Sequence, residues 1–60
     1  MEVSPVEYVA AELMKVWFPK SHDDKAWLAT DDGSNWSDIA LADATVAVNA
    51  YRKWMKEYKD

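Results

Sequence analysis

The sequence predicts an all-α fold, a helical hairpin in one domain covering residues 1–60, and three observations point there. Ser4-Pro5-Val6-Glu7 spells a helix start: a hydroxyl at N-cap, Pro at the first helical position and Glu three residues on to complete a capping box. Apolar residues then recur at helical spacing, and the second half of the chain is rich in Ala. Only two strands can be drawn anywhere, and a lone two-stranded hairpin is marginal in water.

The first helix is expected over about residues 5–18. Val6, Val9, Ala10, Leu13, Met14 and Trp17 follow the i, i+3, i+4, i+7 pattern, while Glu7, Tyr8, Ala11, Glu12 and Lys15 fall on the other side. Phe18 precedes Pro19, which pushes it out of the α region and closes the helix. A polar connection follows, in which Asp23 or Asp24 is placed to cap a short turn or helix over about 24–29. The competing reading is a hairpin through Asp32-Gly33 that sets Trp27, Ala29 and Trp36 on one face. The last element is a long helix over about 32–58, entered from Thr30 or Asp31 with acidic residues in its first turn, where the helix dipole favours them.

At 100° per residue, Trp36, Ala40, Ala47, Tyr51, Trp54 and Tyr58 fall within roughly 60° of one another on that long helix. This stripe, from Trp36 to Tyr51, is where the first helix is expected to dock. Leu41, Ala44, Val48 and Met55 flank it on one side and Ile39, Val46 and Ala50 on the other, an apolar arc of about 220°. Thr45, Asn49, Arg52 and Lys56 form the narrow polar remainder. One short helix and a turn can hardly cover such an arc, so it calls for a partner, either a second copy or another protein.

Composition narrows the function classes. With 60 residues, half of them hydrophobic and four of them Trp, the chain buries only about 60% of its unfolded surface, so its core must be efficient or shared. The absence of Cys excludes disulfides and every Cys-based zinc site. A net charge of −4 and a pI near 4.7 disfavour whole-molecule attraction to phosphate backbones or anionic membranes. No apolar run approaches the ~20 residues that span a bilayer, and no basic leader precedes one, so a soluble cytoplasmic protein is expected.

A catalytic or metal centre finds no candidate, and no cofactor is implied. His22 is the only histidine and reads as a solvated loop residue; Ser4, Ser21, Ser34 and Ser37 read as caps and turns. Asp31-Asp32-Gly33 superficially matches a calcium loop. With Gly33 at the sixth position, however, the first, third and twelfth would be Leu28, Thr30 and Ile39, which supply no carboxylate cage. Asp43 is the one charge projecting into the apolar arc, either satisfied within the fold or facing a basic residue of a partner. Charge is uneven: three-quarters of the chain is acidic, whereas the end interleaves Arg52, Lys53, Lys56 and Lys59 with Tyr51, Trp54 and Tyr58. Those four bases are the possible nucleic-acid contact, although bases in a last helical turn are ordinary.

Val9-Ala10, Ala26-Trp27, Trp36, Ile39-Ala40, Ala44, Ala47-Val48 and Ala50-Tyr51-Arg52 together resemble small uncharacterised helical accessory proteins of actinobacterial bacteriophages. The likeness spans about residues 6–54. It departs from that group at Ser37, Asp38, Leu41 and Asp43, where Arg-rich positions are usual. The resemblance implies a phage accessory protein that binds a host factor, and it transfers no catalytic residue. The resulting expectation is a non-enzymatic protein-binding module that also homodimerises, with Trp36, Asp43, Tyr51, Trp54, Met55 and Tyr58 meeting the partner. A small DNA-binding or DNA-mimicking regulator is the alternative.

Overall fold

The computed structural model describes residues 3–58, and three helices account for most of them: α1 (Pro5–Trp17), α2 (Lys25–Leu28) and α3 (Asp31–Tyr58). Each start is set by a side-chain cap. Ser4 Oγ accepts from the Glu7 amide at 3.1 Å and donates to Glu7 Oε1 at 3.0 Å, a capping box closed side chain to side chain. Asp24 Oδ1 accepts from the amides of Ala26 and Trp27 at the start of α2. Thr30 Oγ1 accepts from the Gly33 amide at 3.1 Å, so α3 begins within a residue of its expected start. Helix α1 stops at Trp17, one residue before its expected end, and Phe18 serves as the C-cap, its amide donating to Met14 O at 2.8 Å.

The hairpin of strands through Asp32-Gly33 does not form; both residues lie in the first turn of α3, and residues 25–28 are helical. Two causes favour the helix. Asp24 and Thr30 each supply an N-cap, and Gly33 lets the end of α2 press onto α3. A Cβ added at Gly33 would sit 2.1 Å from the Trp27 carbonyl oxygen and 2.8 Å from the Leu28 Cα. Glycine is therefore required there by close approach, since its φ is not positive.

Helix α1 runs back along α3, burying Ala10 and Met14 against Ala40 and Ala44, with Val6, Val9, Leu13, Trp17, Phe18, Trp27 and Leu28 packed around them. The apolar face expected for α1 is the one used. On α3 the docking line differs from expectation. Gly33, Ala40, Ala44 and Val48 are buried, whereas Ala47 and Tyr51 are exposed, a rotation of about 50° at 100° per residue. Bulk is the reason. Ala40 and Ala44 expose no surface and let the two backbones approach, while the Trp36 and Tyr51 side chains are too large to lie between helices at that distance. Trp36 stands instead at the edge, edge-on to Trp17 with ring centroids 6.0 Å apart and to Phe18 at 5.3 Å; Phe18 also meets Trp27 at 4.8 Å.

Length mismatch shapes the molecule. The 13 residues of α1 reach about 20 Å and the 28 of α3 about 42 Å, at 1.5 Å per residue. With Trp17 beside Trp36 and Pro5 and Val9 near Val48, the last ten described residues of α3 extend past α1, giving dimensions of 44 × 23 × 17 Å.

Candidate functional site

The expected partner-contacting residues of α3 lie on its outer surface. Tyr51 is 60% exposed, Tyr58 70%, and Trp54 and Met55 just over 40%. Their rings form a ladder along the overhang, Tyr51 stacked near Trp54 with centroids 5.9 Å apart and Trp54 tilted against Tyr58 at 6.4 Å. The i, i+3 and i+4 spacings produce this directly, since such residues are neighbours on a helix surface. Trp36 belongs to a different group: it is held by Trp17 and Phe18, so its indole is partly spent on the hairpin's own core.

Where α3 runs on past the first turn of α1, the two helices border an open groove of about 380 Å³. Pro5 and Val9 form one wall, Ala47, Val48, Tyr51 and Met55 the other, and Arg52 is the one ionic group among the lining residues. The sequence reading missed Pro5, Val9 and Val48 as parts of such a site. The signal that could have found them is the difference between the two helix lengths, which leaves the shorter helix's first turn at the middle of the longer one.

Asp43 is exposed on the outer face of α3 and makes no hydrogen bond or ion pair with the described residues, so the internal partner considered for it is not formed. Around it at helical spacing stand Ile39, Val46 and Ala50, all exposed, with Val46 at 70%. Neither α1 nor α2 covers that side of α3. Arg52, Lys53 and Lys56 lie on the overhang but on different azimuths, Arg52 toward the groove and Lys53 about 100° further round. Lys59 lies outside the described residues.

The polar groups near α1 are structural. His22 is half-buried instead of solvated: its Nδ1–H donates to Phe18 O at 3.1 Å, tying the connection to the end of α1. Lys15 and Glu12 form an exposed ion pair at 2.9 Å, and that carboxylate holds the Lys15 ammonium above its usual range. Among the described residues no three carboxylate or imidazole side chains gather to hold a metal. No helix among them is long and apolar enough to cross a membrane.

No protein-family model, curated protein or solved structure matches the chain.

Proposed function

We propose that the chain is a non-enzymatic protein-binding module, a phage-encoded modulator of a host protein, which grips an apolar segment of its partner in the groove between α1 and the α3 overhang. The observation that carries the reading is that groove: apolar walls from two helices, continuous with a ladder of exposed rings, and a single guanidinium at the rim. Apolar walls supply affinity by burial, and exposed Tyr and Trp are the side chains that dominate interface energetics. Arg52 adds orientation, since its fork pairs with a carboxylate in two-point fashion. The partner segment therefore carries one or two bulky apolar anchors followed by an acidic residue. The phage setting comes from the resemblance in sequence.

The test is capture from host lysate followed by affinity measurement with the purified partner. Tyr51→Ala and Met55→Ser, both at exposed positions, should leave helicity by circular dichroism intact and weaken binding about 30-fold, as loss of a central anchor does. Undiminished binding by both variants overturns the groove as the site. A steeply salt-dependent shift of DNA, abolished by neutralising Arg52, Lys53 and Lys56, would replace the reading with nucleic-acid binding.

A further inference from the structure

The groove leaves a second surface of α3 unexplained, the face carrying Ile39, Asp43, Val46 and Ala50. We propose that this face is the contact between two copies of the chain, joined antiparallel along α3 across a two-fold axis so that Asp43 of each copy lies beside the partner copy's Lys53.

Surface area is the first argument. A compact monomer of 6.9 kDa exposes about 4,000 Å² by the size scaling of folded proteins. This chain exposes 4928 Å², an excess of roughly 900 Å². A standard-size interface removes about 800 Å² from each partner, so pairing along one long helix would bring the exposed area close to the compact value.

Charge is the second. The first half of α3 bears Asp31, Asp32, Asp38 and Asp43 and no base; the last turns bear Arg52, Lys53 and Lys56 against Glu57. A parallel pair would set acid against acid and base against base. An antiparallel pair instead sets the stretch around Asp43 of each helix along the stretch around Lys53 of the other, and a two-fold axis makes that contact twice. Taking Ile39, Val46 and Ala50 as the centre of the face, Asp43 and Lys53 each lie within about 40° of it at 100° per residue. The register that lays Val46 over the partner copy's Ala50 brings Asp43 level with that copy's Lys53. The small Ala50 at the crossing allows the helices to come close. This arrangement gives Asp43 the counter-charge it lacks within one chain.

The groove lies on another azimuth of α3, so the pair would present two grooves near its middle, one on the outer side of each long helix. Pairing along α3 therefore leaves both grooves open to a partner.

Sedimentation equilibrium of the full chain is the test, with circular dichroism as the control for folding. The wild type should sediment at twice the 6.9 kDa chain mass. Val46→Lys, at a position 70% exposed in the single chain, should remain helical and sediment as one chain. D43K and K53D each turn two attractions into two repulsions and should weaken association at least about tenfold. Their equimolar mixture restores opposite charges at both contacts and should associate again. A wild type that stays a single chain at about 100 μM overturns the proposal, since a standard-size interface supports tighter association. So does a pair that D43K and K53D leave unchanged, or whose weakened variants the mixture fails to rescue. Because Val46→Lys leaves the groove intact, loss of dimerisation with retained partner binding separates this proposal from the function above.

Discussion

Gly33 occupies the point where the end of α2 meets the first turn of α3, and the space there admits no side chain. Helix propensity alone favours replacing it, since Ala is better than Gly by about 1 kcal/mol in a helix. The added methyl, however, would overlap the Trp27 carbonyl and crowd the Leu28 Cα, both backbone atoms that cannot swing away. Overpacking of this kind costs about 3 kcal/mol, so Gly33→Ala should destabilise by about 2 kcal/mol net in urea unfolding. A neutral or stabilising result would mean that α2 can shift without loss. Asp43 stands at the opposite extreme: exposed and unpaired within the chain, it should have almost no effect on single-chain stability while controlling association.

At the level of the elements, the seam between α1 and α3 is set by side-chain size. Ala44→Leu should force the helices apart and cost about 1 to 3 kcal/mol in thermal or urea unfolding, whereas Ala47→Leu, one turn on and exposed, should stay within about 0.5 kcal/mol. Equal effects at the two positions would return the seam to the line predicted from the sequence. That line was off for an identifiable reason. The starts of all three helices and the end of α1 were legible because Ser4, Asp24, Thr30 and Phe18-Pro19 are local signals that act through one or two hydrogen bonds or a steric clash. The face of α1 was legible because its apolar side is narrow. On α3 the apolar arc was wide enough to admit several docking lines, and hydrophobicity could not choose among them. The choice fell to backbone approach, which favours the small Ala40 and Ala44 over the larger Trp36 and Tyr51. The groove was hidden for a related reason, because it arises from where one helix ends against another.

For the whole molecule, an elongated hairpin with 4928 Å² of exposed surface is a marginal object, and the proposed association would add to its stability by mass action. If unfolding of the pair is coupled to its dissociation, each tenfold rise in concentration adds about 1.4 kcal/mol per pair, or about 0.7 per chain. For a domain this small, 1 kcal/mol moves Tm by about 4 to 8 °C, so Tm should rise by about 3 to 6 °C per tenfold increase in concentration. Val46→Lys should abolish that slope while keeping the helical signal, because its side chain touches only the outer face of α3. Differential scanning calorimetry over a hundredfold concentration range decides the matter. A slope near zero for the wild type would mean that the hairpin folds without its second copy. A slope retained in Val46→Lys would move the contact to the ring ladder of the overhang. The expected slope would also fix how the grooves work, since two grooves on one rigid pair convert a second binding event on a repeated or dimeric partner into an intramolecular one.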